Sequence, residues 1–295
     1  MTGAGTPGTT SGQLMWAAYG AVFAVSVVPL AIWCVRLARV KRGVGVARRY
    51  WAQPQGPPGG LLYVALGDSA AQGVGASRPD RGYVGLLAER LACTTGRPVQ
   101  VVNLSRSGAT VEDLLREQLP LLQALSPDLV TVAIGGNDMF RADPDAFDAC
   151  AGRLITALPP QTVIADVPYF MHGHWERDAR RAAGSVTRLA SARGLPVVPL
   201  HDALRREGWA AMASEFAADW FHPNDRGYRV WERVFWDTIR TSPAGARLHH
   251  ARPRRGLVDR RPGPRCGLVA GRCRWSERVL PEPARRGDLD PGPAA

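Results

Sequence analysis

Residues 61–69 read Leu61-Leu-Tyr-Val-Ala-Leu-Gly-Asp-Ser69, and this stretch decides the fold. The run Leu61–Leu66 is short and apolar, which is typical of a strand buried on both faces of a parallel sheet. Gly67 and Asp68 end the run with residues that favour a turn. A serine at such a strand-to-helix turn, here Ser69, projects its hydroxyl into a cleft, although it can equally cap the helix that follows.

The same alternation of strand and helix patterns continues downstream. Four further short apolar runs predict strands, at Val99–Leu104, Leu129–Ile134, Thr162–Val167 and Pro196–Leu200. Apolar residues at helical spacing predict helices between them, at Tyr83–Ala92, Val111–Ala124, Asp145–Leu158 and Glu176–Ala192. A last helix is predicted after Pro223, with one apolar face formed by Tyr228, Trp231, Phe235 and Ile239. Strands that alternate with helices predict an α/β fold whose parallel sheet is covered on both faces.

The N-terminal region predicts a transmembrane helix. Leu14–Val35 is a run of 22 residues without a charge, and about 20 apolar residues are enough to cross the hydrocarbon core of a bilayer. Six basic residues follow between Arg36 and Arg49, and none precedes the run. By the positive-inside rule, we expect the remainder of the chain to lie in the cytoplasm, with an extracytoplasmic location as the alternative.

Five segments are predicted from these patterns. They are a short N-terminal segment (1–13), a transmembrane anchor (14–35), a basic juxtamembrane segment with a Pro/Gly linker (36–60), the α/β domain (61–240) and an Arg/Pro-rich tail (241–295). The tail shows no sustained period of 2 or 3.6 residues and has few apolar residues, so it is predicted to be disordered.

The distribution of charge excludes nucleic acid as a partner. The formal net charge is +11, but six positive charges lie in residues 36–49 and a surplus of seven lies in residues 241–295. The rest of the chain carries a net −2, whereas a nucleic-acid-binding domain needs a basic face.

Lys41 is the only lysine, which excludes a phosphate-loop or Schiff-base lysine in the domain. The five cysteines are scattered, and their spacing predicts neither a zinc site nor a disulfide framework.

Polar residues follow the predicted strands, at the edge where parallel α/β sheets bind ligands. Gly108 can bring its N–H close to a ligand, but an ordinary loop glycine explains it as well. Asn137 can supply a neutral donor to an oxyanion, or can serve as a turn residue. Asp219 lies three residues before His222, where its carboxylate can orient the imidazole so that the other ring nitrogen takes a serine proton. The alternative is that this segment only leads into the helix that begins after Pro223.

Taken in order, these residues resemble the SGNH/GDSL hydrolase family. Its motifs are a Ser in Gly-Asp-Ser, a Gly after the second strand, an Asn in Gly-x-Asn-Asp and a His in Asp-x-x-His, and all occur here in that order. The resemblance covers about residues 61–240. It implies a flavodoxin-like three-layer α/β/α sandwich with a five-stranded parallel sheet.

The resemblance also implies a role for each residue at the strand ends. Ser69 would be the nucleophile, His222 the base and Asp219 the residue that orients it. The backbone N–H groups of Ser69 and Gly108 and the side chain of Asn137 would form the oxyanion hole. The chain would then be a carboxylic ester hydrolase of the esterase, lipase or lysophospholipase type, acting on lipid or small acyl esters through an acyl-enzyme. No cofactor and no metal is implied.

Three alternatives to an ester hydrolase stay open. An acyltransferase or an acyl-CoA thioesterase could use the same residues. A non-enzymatic membrane module could retain a pocket that only binds. The expected partners are an ester substrate and, through the N-terminal helix, the membrane, and we expect no nucleic-acid partner.

Overall fold

The five predicted strands all form, each at the apolar run that predicted it, although β5 comprises only two of the five predicted residues. In the computed structural model, the described residues are 10–140, 143–171 and 173–250, with only the backbone described at 10–27, 209–210, 212–213 and 249–250. The strands are β1 Leu61–Gly67, β2 Val99–Asn103, β3 Leu129–Ala133, β4 Thr162–Ala165 and β5 Val197–Val198.

All neighbouring strands are parallel, and their order in the sheet is β2-β1-β3-β4-β5. This is the flavodoxin-like order that the family resemblance implies. The chain leaves β1 toward one side of the sheet and returns to the other side at β3. Ligands of such sheets bind beyond the carboxyl ends of the strands at this switch point, which is where Asp68 and Ser69 follow β1.

Helices connect the strands, and further helices precede β1 and follow β5. They are α1 Thr10–Tyr50, α2 Tyr83–Thr95, α3 Val111–Asp113, α4 Leu119–Gln123, α5 Pro144–Ala157, α6 Gly173–Ala192, α7 Leu200–Glu215, α8 Asp225–Thr241 and α9 Pro243–His250. A π-helical turn at Leu114–Gln118 joins α3 to α4, so the two form one continuous helical stretch. The four helices predicted between strands and the helix predicted after Pro223 are therefore all present.

Two separate hydrophobic clusters cover the two faces of the sheet. Along β1, Tyr63 and Ala65 point into the cluster that contains α2 and α8. Val64 and Leu66 point into the cluster that contains α4, α5 and α6. Successive side chains of a strand point to opposite faces, so β1 is apolar throughout because both of its faces are buried. The three-layer α/β/α arrangement is confirmed.

The predicted transmembrane helix over Leu14–Val35 is wrong. Within the part of the chain that the structure describes, no helix combines the length and the apolar character needed to cross a membrane. The side chains of residues 14–27 lie outside the described part. The run does form a helix, but that helix continues without a break to Tyr50, through the basic residues that were expected to flank it. Its second half packs against the domain, where Ala47 is buried in the core. The cytoplasmic location that followed from the flanking charges stays a prediction.

Helix α7 was not predicted from the sequence. Its helical pattern is interrupted at Gly208, where φ is +69° and the backbone leaves the helical region. Helix α9 lies at the beginning of the segment predicted to be a tail, and it buries Ala244 and Leu248 against the core. The rest of that segment, residues 251–295, lies outside the described residues.

Candidate active site

Ser69 lies directly beyond the carboxyl end of β1, in a turn comprising residues 68–74, which we call the Ser69 turn. Gly67 has a φ of +148°, and a Cβ there would stand 2.2 Å from the carbonyl oxygen of Ala133 in β3. Only glycine lets the two strands come this close at that conformation. Asp68 accepts the backbone N–H of Ala70 at 2.9 Å and thereby holds the turn. The turn leaves the side chain of Ser69 buried.

Asp219 and His222 lie on the connection between α7 and α8, in residues 216–223, which we call the His222 loop. An antiparallel bridge between Phe216 and Pro223 closes the loop. Trp220, at its tip, has a φ of +56°, in the left-handed region that non-glycine residues rarely occupy. This turn of the backbone brings Asp219 back over His222. The Oδ1 atom of Asp219 accepts the backbone N–H of Phe221 at 3.2 Å and that of His222 at 3.1 Å.

The structure brings Ser69, His222 and Asp219 into one hydrogen-bonded chain. The Oδ2 atom of Asp219 lies 2.6 Å from Nδ1 of His222, and Nε2 of His222 lies 2.8 Å from Oγ of Ser69. A carboxylate can only accept, so Nδ1 carries the ring proton and Nε2 accepts from the serine hydroxyl. Burial favours a higher pKa for Asp219, but the hydrogen bonds and charge of His222 outweigh it and leave that pKa below its usual value. Asp219 is therefore ionised at neutral pH.

Asn137 and Gly108 border the same site from the ends of β3 and β2. The Nδ2 atom of Asn137 donates to the carbonyl of Ala109 at 2.9 Å and lies 3.4 Å from Oδ2 of Asp68. Gly108 has a φ of +78°. Over the described ranges, the backbone N–H groups of Ser69 and Gly108 have no acceptor within hydrogen-bonding distance. Asn137 and the loop that carries Gly108 thus lie next to the Ser69 turn.

Gln72 connects the Ser69 turn to the loop that carries Gly108, and sequence reasoning missed it. Its Nε2 donates to the carbonyl of Ser105 at 2.8 Å, and its Oε1 accepts from the hydroxyl of Ser107 at 2.6 Å. Gln72 is buried, and a buried glutamine needs such partners for both ends of its amide. A polar residue three positions after the serine was the only signal in the sequence, and it could not reveal these partners.

An apolar cleft of about 160 Å³ opens beside His222. Its walls are rich in aromatic side chains, which include Phe140, Tyr169, Phe170, Trp175, Trp220 and Phe221. The Phe140 ring lies 5.7 Å from that of Phe170 and 5.1 Å from that of Trp175, centroid to centroid. Edge-to-face rings at such distances form a well-packed apolar wall. The cleft suits an apolar group of a substrate.

Two carboxyl groups line this cleft besides the catalytic candidates. Burial raises the pKa of Asp68 to about 6 and that of Asp166 to about 7. Asp166 follows β4 and accepts the backbone N–H of His201 in the first turn of α7 at 2.8 Å. Neither was selected from the sequence, because a single acidic residue after a strand does not reveal its burial. In the described part of the chain, no group of three His, Cys, Asp or Glu side chains is arranged to hold a metal ion.

Comparisons with known proteins identify the family of the chain. Residues 65–230 match the sequence model of the GDSL-like lipase/acylhydrolase family. No curated protein sequence matches the chain.

Solved structures share the fold. An acetylxylan esterase from Geobacillus stearothermophilus is 23% identical, with a TM-score of 0.51, and the match covers 60% of this chain and 93% of that one. A lipase/acylhydrolase from Enterococcus faecalis is 19% identical, with a TM-score of 0.53 and coverage of 66% and 100%. TesA is 25% identical, with a TM-score of 0.52 and coverage of 61% and 98%. Each match spans nearly the whole of the other protein but about three fifths to two thirds of this chain, so between a third and two fifths of this chain falls outside each match.

Proposed function

The chain belongs to the GDSL-like lipase/acylhydrolase family, and from that premise we propose that it is a serine hydrolase that cleaves carboxylic esters through an acyl-enzyme. One observation carries the proposal. His222 lies between Ser69 and Asp219, with one ring nitrogen 2.8 Å from the hydroxyl and the other 2.6 Å from the carboxylate. This is the arrangement in which a histidine acts as general base toward a serine nucleophile.

In the acylation step, Nε2 of His222 takes the hydroxyl proton while Oγ of Ser69 forms a bond to the ester carbonyl carbon. The carbonyl π electrons move to the oxygen and give a tetrahedral oxyanion. When the carbonyl re-forms, the bond to the alcohol oxygen breaks and the alcohol leaves with the proton from Nε2. Asp219 keeps its charge throughout and stabilises the imidazolium that forms in between.

Deacylation repeats the sequence with water. Nε2 of His222 takes a proton from a water molecule whose oxygen attacks the acyl carbon. Collapse of the second oxyanion breaks the bond to Oγ of Ser69, which recovers its proton from the imidazolium. The products are a carboxylic acid and the free enzyme, and the proton count balances.

Three neutral donors are proposed to hold the oxyanion. The N–H groups of Ser69 and Gly108 are unpaired among the described residues and are available without rearrangement. One amide hydrogen of Asn137 is engaged by the carbonyl of Ala109, while its distance to Asp68 is 3.4 Å. That distance is longer than an ordinary hydrogen bond, so the second amide hydrogen is available to the oxyanion.

The cleft supports an acyl group of limited size. Its volume of about 160 Å³ is similar to that of an apolar protein cavity that holds benzene, so an acyl group of roughly six carbons fits inside. We therefore propose that short-chain or compact aromatic acyl esters are cleaved best. In a series of p-nitrophenyl esters, kcat/KM should rise to a maximum at about four to six carbons and fall for longer chains. An optimum at a long chain would contradict the size assignment and leave the nucleophile untouched.

Covalent labelling tests the nucleophile. A fluorophosphonate probe should label the wild-type chain, and Ser69→Ala should abolish labelling and lower kcat by roughly 10⁴- to 10⁶-fold, as for other triad nucleophiles. Ser191→Ala, at an exposed serine of α6, is the matched control and should label normally. If the Ser69→Ala variant is still labelled, the nucleophile is elsewhere and the proposal fails.

A further inference from the structure

Helix α1 and the residue directly after it, Trp51, touch both loops of the candidate active site through two tryptophan side chains. The indole N–H of Trp33 donates to the carbonyl of Ala218, one residue before Asp219, at 2.9 Å. The indole N–H of Trp51 donates to the carbonyl of Gln72 in the Ser69 turn at 3.1 Å. Residues 10–51 all precede the region that matches the family model, which begins at residue 65. The contacts are therefore additions to the family domain.

The two tryptophans lie on one face of the helix. They are 18 residues apart, which is about five turns at 3.6 residues per turn and about 27 Å along the axis. The helical hydrogen bonding continues to Trp51, whose N–H donates to the carbonyl of Ala47 at 3.0 Å. Between the tryptophans, side chains at spacings of three and four residues are partly or fully buried, namely Leu37, Val40, Val44 and Ala47. An apolar stripe of this spacing is the docking face of a helix.

The part of the His222 loop that carries Asp219 has few other restraints. Gly75 packs against His222 and Pro223 at the end of the loop and against Ala217 near its beginning. Just after the loop, Asp225 accepts the backbone N–H and the hydroxyl of Ser77. Residues 217–220 bond within the loop, and Trp220 is more than half exposed. Among the described residues, the indole of Trp33 supplies the only hydrogen bond that residues 217–220 receive from outside the loop.

We propose that α1 is a strap over the active site and that Trp33 is a positioning residue, which holds Asp219 and, through it, His222 in line with Ser69. This inference rests on the proposed serine hydrolase function. Trp51 anchors the strap beside the nucleophile, where it is buried in the core. Trp33 reaches the opposite side of the triad. The helix thus restrains two loops that come from chain segments about 150 residues apart.

The test uses Trp33→Phe in the full-length chain. Phenylalanine keeps a ring on the apolar stripe but removes the donor to Ala218. We expect kcat for a p-nitrophenyl ester to fall about 3- to 10-fold, with KM within twofold of wild type. The rate of fluorophosphonate labelling should fall in parallel, because both depend on the alignment of His222 with Ser69. Val35→Ala, at an exposed position on α1, should leave both rates unchanged.

Amide hydrogen exchange supplies a second measurement that does not depend on activity. The N–H of Ala217 donates to the carbonyl of His222, and that of Trp220 donates to the carbonyl of Ala217. Trp33→Phe should make these amides exchange at least about fivefold faster, while amides of β1 keep their wild-type rates. Faster exchange of the loop together with a lower kcat supports the strap.

Each other result overturns the inference. Wild-type kcat in Trp33→Phe would show that the indole does not position the loop. A lower kcat with unchanged loop exchange would show that the effect has another route, and faster exchange in β1 would show that Trp33 holds the whole fold. Failure of the proposed function looks different, because the wild-type chain would then show no hydrolysis that depends on Ser69. The exchange measurement would still report on the contact.

Discussion

Gly75 lies so close to His222 that a Cβ at position 75 would stand 2.8 Å from the Cβ of the histidine and 2.4 Å from the carbonyl oxygen of Pro223. Its φ is +96°, which a side chain rarely tolerates. The chain just beyond the Ser69 turn and the His222 loop therefore meet at a point where only glycine fits. The distance between the hydroxyl of Ser69 and the imidazole of His222 depends on this contact.

Gly75→Ala should push the His222 loop away from Ser69. A displacement of about 1 Å can cost roughly 10²-fold in rate, so we expect kcat to fall by about that factor and the melting temperature to fall as well. Gly96→Ala is the matched control, because Gly96, at the end of α2, also has a positive φ of +63° but a Cβ there would meet nothing within 4 Å. It should lose some stability but no activity. Equal kcat values for the two variants would contradict the prediction.

At position 137, a substitution that introduces a negative charge should lower kcat more than one that shortens the side chain. Asn137→Ala removes one oxyanion donor and should lower kcat about 10²- to 10³-fold. Asn137→Asp keeps the shape but replaces the donor with an acceptor, and places a second carboxylate within about 3.4 Å of Asp68. We therefore expect the aspartate variant to be slower than the alanine variant in the same assay at pH 7.5. The reverse order would mean that Asn137 acts by packing and does not donate to the oxyanion.

Asp166 should make the folded protein less stable as pH rises. Burial raises its pKa from an ordinary value of 3.8 to about 7, so between these pH values the folded state binds more protons than the unfolded state. The free energy of unfolding then decreases with rising pH. Asp166→Asn keeps an acceptor for the N–H of His201 and removes the ionisation.

Relative to wild type, Asp166→Asn should gain stability from pH 4 to pH 7.5, on the order of 3 to 4 kcal/mol in total. Urea unfolding at a series of pH values measures it. Asp145→Asn, at a side chain that is 89% exposed, should follow the wild-type curve. A constant difference between Asp166→Asn and wild type over this range would show that Asp166 does not titrate as stated.

Trp220 combines an exposed ring with a left-handed backbone. Asparagine occupies that backbone region readily, and a β-branched residue does so only with strain. Trp220→Asn should therefore match or exceed the wild-type stability, whereas Trp220→Val, which also lacks the ring, should be about 1 kcal/mol less stable. Both should raise KM, because the ring lines the cleft. Equal stability of the two variants would show that the His222 loop does not hold residue 220 at a positive φ.

The sequence predicted the sheet well because its strands are buried on both faces. Residues such as Val64 and Ala65 are apolar regardless of which face they point to, so a continuous apolar run marks each strand without knowledge of its neighbours. Ser69, Asp219 and His222 were selected by order and spacing along the chain. The distances between these three side chains depend on Gly67 and Gly75. Both glycines make close contacts with residues that are distant in sequence, and no local sequence pattern reveals such contacts.

The N-terminal helix was predicted wrongly for a physical reason. A count of apolar residues over Leu14–Val35 does not show that the helix continues through the basic segment, or that its later part packs on the domain, where Ala47 is buried. The informative pattern was the stripe from Trp33 to Trp51, which crosses from the apolar run into the basic segment. Because the sequence analysis divided the chain between residues 35 and 36, it assigned the residues of this stripe to two different segments. Asp166 was missed for a related reason, since its burial depends on α7, which the sequence did not predict.

The position of His222 near the end of the domain has a consequence for protein synthesis. Ser69, the turn that holds it and the first four strands emerge from the ribosome well before His222 does. The hydroxyl of Tyr228, in α8, donates to the carbonyl of Val74 in the Ser69 turn at 2.6 Å, so this turn is fully restrained only after α8 docks. A nascent or truncated chain that ends before His222 lacks the hydrogen-bond partner of the Ser69 hydroxyl. Hydrolytic competence therefore appears only with the completed domain, and an activity measurement on this protein doubles as a measurement of how much of it has finished folding.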